Sequence, residues 1–441
     1  MSYTVYNAPG GPQTHGVQYL YDPTLSVNGI YGAFRPAFST DQSQVSFKDS
    51  ANLDAFSRLR VSQPTTLFDS KQLYDSAPLF WDDAQTSGSG TSSAHSTALA
   101  ATTMSVSNAT AGTRVRQTKR CFNYQPGKSS LVLLTGVLGT ASTGITRRVG
   151  YFNGSNGLFF QLAGSVLSCV VRSSTSGSPV DTVVAQSAWN LDKLDGTTAS
   201  RITLDVTKAQ IFLIDFEWLG VGRVRFGFVI DGIVYYCHEV LNANEASAVY
   251  MSSPNLPLRY EIVNGGAGAA ATLVHICTTV ISEGGFEDTG LILSYDGGNT
   301  YVDADTAGTV YACIGMRLKT THLSATVKNL GMTMMGATAN DDFLWRLYSN
   351  PAVAGTFAYA DLTNSAVQIA TGASTNTITG GTLLNAGYVT SRTSVENALV
   401  NALNLGAKID GTRDEVVLAV MPVAGASNLD IYSSITWREL L

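Results

Sequence analysis

The chain has 441 residues, enough for two or three domains, each with a core of its own. Charged residues make up 14% where roughly 25% is usual. The net charge of -6 and pI near 5.4 argue against a broad basic face for nucleic acid. The start lacks a basic region followed by an apolar run, and no apolar stretch reaches about 18 residues. The expectation is a soluble protein without a usual export signal. Cys121, Cys169, Cys237, Cys277 and Cys313 lie far apart with no CxxC spacing. Neither a zinc site nor a disulfide framework is written there, so free thiols in a reducing compartment are expected.

Residues 1–50 carry Pro9, Pro12, Pro23 and Pro36 with frequent Gly and Tyr and no sustained period, which predicts an extended N-terminal arm. An arm of this kind needs a neighbouring subunit to order it. From 51 to 285 the pattern is strand after strand, a first β-sandwich domain. Its clearest piece is "IFLIDFEWLGVGRVRFGFVIDGIVYYCHEV", residues 211–240. A three-residue loop at Gly220–Gly222 would pair Trp218 with Val224, Phe216 with Phe226 and Ile214 with Phe228, and set Glu217 opposite Arg225. Asp231-Gly232 reads as a second tight turn, with Phe228 opposite Tyr235 and Arg225 opposite His238.

"TRVRQTKRCFNYQPGKSS", residues 113–130, alternates as a strand with Arg114, Arg116 and Arg120 on one side. Its Gly-Lys-Ser ending is no phosphate loop. Phe122 stands where the first glycine is needed, and a buried strand follows in place of a helix. The same Arg-x-Arg spacing recurs at Arg58 and Arg60 and at Arg223 and Arg225. These seven arginines either line solvated strand faces opposite carboxylates or meet acidic groups on another subunit, a role that suits guanidinium in desolvated contacts.

"SEGGFEDTG", residues 282–290, reads as a linker to a second β-sandwich domain at 290–441. "SYDGGNTY", residues 294–301, is similar to the Asp-box pattern of a hairpin turn. Asp303 and Asp305 follow it, without the glycine and late glutamate of a full calcium loop. The five histidines are single, no GxSxG elbow occurs, and no catalytic residue, metal site or cofactor is predicted. One helix is expected over 394–405: Thr393 and Glu396 have capping-box spacing, Val395, Leu399 and Leu403 recur every four residues, and Gly406 stands where a left-handed stop belongs. "SSITWRELL" closes the chain as a strand.

The runs "DAFSRLRVSQPTTLFDSKQLYD", "TRVRQTKRCFNYQPGKSSLVLLTGVL", "WLGVGRVRFGFVIDG", "NLPLRYEI", "NDDFLWRLYSNPAVAGTFAY" and "KIDGTRDEVVLAV" together resemble a widespread family of virion structural proteins of tailed phages and environmental viruses. The resemblance covers most of 50–441 and implies a non-enzymatic part of the particle: capsid-associated, collar or tail. Partners would then be other copies of the chain and other virion proteins, with no membrane or nucleic acid. The fold expected is all-β, two sandwich or jelly-roll-like domains with an arm and one short helix. The alternative is a receptor-binding tail or fibre protein that recognises a host surface glycan.

Overall fold

The structure is a computed structural model. It describes residues 4–7, 18–27, 30–36, 53, 54, 56, 58, 63–337, 342–390, 394–398, 404–423 and 428–441. The chain divides into two compact units, 1–50 and 51–441. In the first, the strands Thr4–Asn7, Gln18–Val27 and Ile30–Pro36 pair as an antiparallel sheet. The stretch expected as an extended arm is therefore in part a three-stranded sheet.

The second unit is nearly all antiparallel β and holds two large hydrophobic cores. In the first sandwich one sheet runs, edge to edge, Val180–Ala185, Val166–Ser173, Gly157–Ala163, Ile145–Phe152, Leu258–Asn264, Gly112–Thr118, Trp81–Gly88. The facing sheet runs Ile233–Val240, Val224–Ile230, Gln210–Phe216, Ser129–Val137, Ala271–Glu283, Ala101–Val106, Thr91–Ser96, with Thr65–Lys71 also paired to Ala271–Glu283. Alternation places Val132 and Leu134 of one strand, and Phe212, Ile214 and Phe216 of the next, in the core. Phe160 from the opposite sheet packs on the rings of Phe212, Phe226 and Phe228 at 5.3, 5.4 and 4.9 Å, so aromatic contacts join the two layers.

The hairpin after Phe216 keeps a three-residue loop but moves it by one position. The strands pair Phe216 with Val224, Ile214 with Phe226 and Asp215 with Arg225, leaving Leu219, Gly220 and Val221 at the tip. The expected register is thus off by two, which preserves every face. Gly222 explains the shift: a Cβ there would stand 2.3 Å from Glu217 Cγ, so Gly222 packs beside the incoming strand instead of turning. Asp231-Gly232 makes the second turn with φ of 51° and 79°, and Phe228 faces Tyr235 as expected. A bulge at Phe226/Gly227 then places Glu239, not His238, opposite Arg225.

In the second sandwich one sheet runs Leu291–Asp296, Asp430–Leu440, Thr326–Gly336, Ser394–Ala398, with Val302–Asp303 on Asp430–Leu440. The other runs Ala360–Asp361, Val367–Thr371, Tyr311–Leu318, Glu415–Pro422, Phe343–Ser349, Thr382–Val389. The helix expected at 394–405 is corrected. Ser394–Ala398 is a strand paired with Gly331 to Met335, residues 399–403 lie outside the described residues, and Gly406 has no left-handed φ. Gly406 serves a close approach instead, because a Cβ would stand 2.7 Å from the Lys119 carbonyl oxygen of the first sandwich. There the Ala407 N–H donates to that carbonyl at 2.8 Å, and the Ile409 N–H donates to Asp82 Oδ2 at 2.8 Å. Among the described residues the one helical turn is the 3-10 turn Gln186–Ala188.

Candidate functional site

Alternation on Gly112–Thr118 sends Arg114 and Arg116 to one face, and the neighbouring strand brings Asp83 to meet them. Arg114 Nε lies 2.5 Å from Asp83 Oδ1, and Arg116 Nη1 lies 3.3 Å from Oδ2. Arg116 is only 1% exposed. It donates to His275 Nδ1 at 3.0 Å, to Gln72 Oε1 at 2.9 Å and to the Ser76 carbonyl, and lies over the Trp81 ring. Burial lowers its pKa while Asp83 opposes that shift. His275 is sealed between Trp81 and Tyr260, at ring distances of 4.5 and 4.3 Å. Desolvation, and then Arg116, holds its pKa well below the usual imidazole value. A nitrogen that accepts from a guanidinium belongs to a neutral ring.

Arg225, 0% exposed, pairs with Asp215 Oδ2 and donates to the Leu53 carbonyl at 2.6 Å, with the Tyr236 ring 4.2 Å away. Arg223 lies 3.6 Å from Glu239 Oε2, and Arg58 pairs with Asp54 at 2.7 Å. Arg60 lies outside the described residues. The expectation of inter-subunit contact is therefore corrected for Arg116 and Arg225: both guanidiniums are buried on partners in their own chain, so neither presents a surface to a neighbour.

Arg120 differs from these. Its guanidinium lies 5.0 Å from the Phe68 ring and 5.4 Å from the Phe122 ring, and Nη2 donates to the Leu67 carbonyl at 2.8 Å. Burial pulls its pKa down to about 10, with Asp69 opposing. Arg120 lines a cleft of about 680 Å³ between the two sandwiches. Thr65, Thr66, Leu67, Phe80, Cys121 and Asn123 form one wall; Phe286, Asp288, Thr326, Lys328, Asn329, Leu330, Leu384 and Asn404 form the other. Lys328 Nζ lies 2.5 Å from Asp288 Oδ1 and 5.1 Å from the Phe286 ring, which ties down the one ammonium among these residues. Phe80 is 42% exposed.

Three polar atoms of the cleft residues are buried without a hydrogen-bond partner: Arg120 Nε, Thr326 Oγ1 and Asn329 Oδ1. Asn329 is 6% exposed. Among the candidates from sequence only Arg120 belongs to this cleft. Phe80, Thr326 and Asn329 carry no local pattern that marks them, since they meet only when the sandwiches dock.

The Asp-box-like stretch does form a turn, with the Gly298 N–H donating to Asp296 Oδ1 at 2.9 Å. Asp303 is held above the usual carboxyl range by a hydrogen bond shared with Asp305. Among the described residues no group of three or more His, Cys, Asp or Glu is placed to hold a metal ion. Among them too, no helix is long and apolar enough to cross a membrane.

No protein-family model and no curated protein matches this sequence. Solved structures with a similar fold include a Bacillus licheniformis β-glucanase, 10% identical, with a TM-score of 0.32 over 48% of this chain and 96% of that one. The Emp47p carbohydrate recognition domain is 10% identical, with a TM-score of 0.32 over 50% of this chain and 97% of that one. The CBM2 module of an evolved Dit from Lactobacillus casei BL23 phage J-1 is 7% identical, with a TM-score of 0.34 over 51% of this chain and 99% of that one. The likeness to all three is one of β-sandwich fold.

Proposed function

We propose that this chain is a non-enzymatic structural subunit of a tailed-phage virion, assembled through the edges and faces of its sheets. One observation carries the assembly part of this reading. Each of the four large sheets ends in an edge strand that turns large apolar side chains to solvent: Val180 and Val183, Ile233, Leu291 and Ile292, Leu383 and Tyr388. Tyr388 is 80% exposed. A strand edge already offers unpaired N–H and C=O groups, and lone chains usually guard such edges with charge. Apolar edges of this kind suit a chain whose partners cover them. The virion setting rests on the family resemblance of the sequence runs.

Sedimentation analysis of the purified chain tests the assembly reading. The parent is expected to form a defined oligomer, and the combined variant Val183→Lys, Ile292→Lys and Tyr388→Lys a folded monomer. A monomeric parent, or a triple variant that still assembles, would overturn it. A map of an intact particle with the chain traced would test the virion setting. A second reading, a tail or fibre protein recognising a host glycan, is favoured by the half-exposed Phe80 beside the polar groups of the cleft.

A further inference from the structure

We infer that Asn153 is a self-modification site, at which the Gly154 nitrogen closes on the Asn153 side-chain amide and converts it through a succinimide to an isoaspartyl or aspartyl residue. Three Asn-Gly pairs lie among the described residues, at Asn153, Asn156 and Asn264. Glycine brings no Cβ to hinder the attack, so the dipeptide itself does not rank them. The structure does. Asn264 is 2% exposed, its Nδ2 donates to the Ser107 and Gly268 carbonyls at 2.7 and 3.0 Å, and the attacking Gly265 N–H is itself bonded to the Gly144 carbonyl at 2.9 Å. Asn156 is 4% exposed, and its Nδ2 donates to Ser252 Oγ at 2.9 Å. In both, the amide that must leave is held in place.

Asn153 differs at each of these points. It lies partly exposed in the turn between Ile145–Phe152 and Gly157–Ala163, and among the described residues neither its Nδ2 nor the Gly154 N–H donates a hydrogen bond. Its Oδ1 does have partners: it accepts from the Ser155 N–H at 2.8 Å and the Asn156 N–H at 2.9 Å. When the Gly154 nitrogen, its proton lost to hydroxide, bonds to the side-chain carbonyl carbon, the displaced electron pair passes to Oδ1. The two N–H groups are then an oxyanion hole for that charge. The Asn156 side chain is bonded to Ser252 and to the Ser174 N–H, which fixes one of the two donors in advance. The bond to Nδ2 breaks, ammonia leaves with a proton from water, and a second water opens the ring at either carbonyl. Opening at the former main-chain carbonyl gives the isoaspartyl product, in which that carbonyl has become a free carboxylate. Arg172 Nη1 donates to the same oxygen at 3.2 Å, so the new charge forms beside a guanidinium.

The test holds the full chain in mildly alkaline buffer and samples it over days, with mass-spectrometric peptide mapping that resolves each Asn-Gly pair and labelling by an isoaspartyl methyltransferase as a second readout. Asn153 should convert. Asn156 and Asn264 should stay intact until the chain is unfolded in urea, when all three should react. Gly154→Ala suits the turn, because the φ there is not left-handed and a Cβ would meet nothing within 4 Å, so the fold should hold while conversion slows roughly tenfold. A synthetic peptide of residues 151–158 gives the rate of the same sequence without its fold, and the folded chain should match or exceed it. An Asn153 that stays intact while this peptide converts overturns the assignment. So does a folded chain in which Asn156 or Asn264 converts as fast as Asn153, or a Gly154→Ala variant that converts at the parent's rate.

Discussion

Arg225 stands directly opposite Asp215 on the neighbouring strand, both side chains fully buried and ion-paired, with the Tyr236 hydroxyl donating to the same carboxylate oxygen at 3.0 Å. Removing one partner of such a pair leaves a charge stranded in a low-dielectric interior. Asp215→Ala should therefore destabilise the first sandwich by about 3–5 kcal/mol in urea denaturation. Replacing both, as Asp215→Leu with Arg225→Met, should cost far less. A single variant as stable as the double would show that the pair is not buried as described.

His275 makes stability depend on pH in a stated direction. Its folded pKa lies well below the unfolded value of about 6.5, so between the two the unfolded chain binds the extra proton. The contribution is complete above about pH 6.5 and is lost as pH falls toward the folded pKa. His238, also lowered by burial, adds in the same sense. The denaturation midpoint should drop from pH 7 to pH 5, before most carboxylates titrate. His275→Gln, which retains an acceptor for Arg116, should flatten that slope; an unchanged slope would remove His275 from the account.

Gly406 should be sensitive to a single methyl group. Gly406→Ala would press a Cβ to 2.7 Å from the Lys119 carbonyl oxygen and 2.9 Å from its carbon, both backbone atoms with little room to yield. The contact between the sandwiches should loosen at a cost of about 1–3 kcal/mol. Calorimetry should then resolve two melting transitions where the parent has one, and protease should reach residues 404–413 sooner. A variant that melts like the parent would mean that this loop does not hold the sandwiches together.

The five cysteines are free, and their surroundings rank their reactivity. Cys169 and Cys237 face each other across the first core at 4.0 Å between sulfurs, nearly twice a disulfide bond of about 2.05 Å. Burial raises the pKa of Cys169 well above normal and pushes that of Cys313 up to about 12, so neither forms thiolate near neutrality. Iodoacetamide should label the partly shielded Cys277 first; Cys121, also partly shielded but with its thiol pushed up to about 12 by burial, should follow slowly, and the other three should react only in denaturant. Mass spectrometry of unreduced protein that finds any native disulfide would refute this ranking.

How much of this could be read beforehand depended on the range of the cause. Strand identity and facing come from alternation within a few residues, and Phe212, Phe226 and Phe228 point inward as their pattern demands. The loop position was legible only to within one residue, because the close approach of Gly222 to Glu217, where a Cβ would not fit, is a relation in three dimensions. The helix at 394–405 was misread because a capping-box spacing and a four-residue repeat are local signals, and pairing with Gly331 to Met335 outweighs them at Ser394–Ala398. Gly406 looked like a stop signal when its cause was the approach of another domain. The cleft lay beyond reach altogether: nothing near Phe80 or Asn329 in sequence announces that they share a wall-to-wall space.

The strand Ala271–Glu283 lies against Ser129–Val137 along one side, and on the other it takes Ala101–Val106 at its start and Thr65–Lys71 at its end. The changeover falls between His275 and Cys277, where the register with Ser129–Val137 also shifts. The partners of the latest-made strand of this sandwich are thus among its earliest, with Thr279 bonded to Phe68 across 211 residues. During synthesis, at about 5–20 residues per second, those early strands must wait roughly ten seconds or more for their template. The first half of the chain therefore leaves the ribosome with its apolar faces uncovered, and a nascent chain stopped before residue 271 has no central strand on which to close.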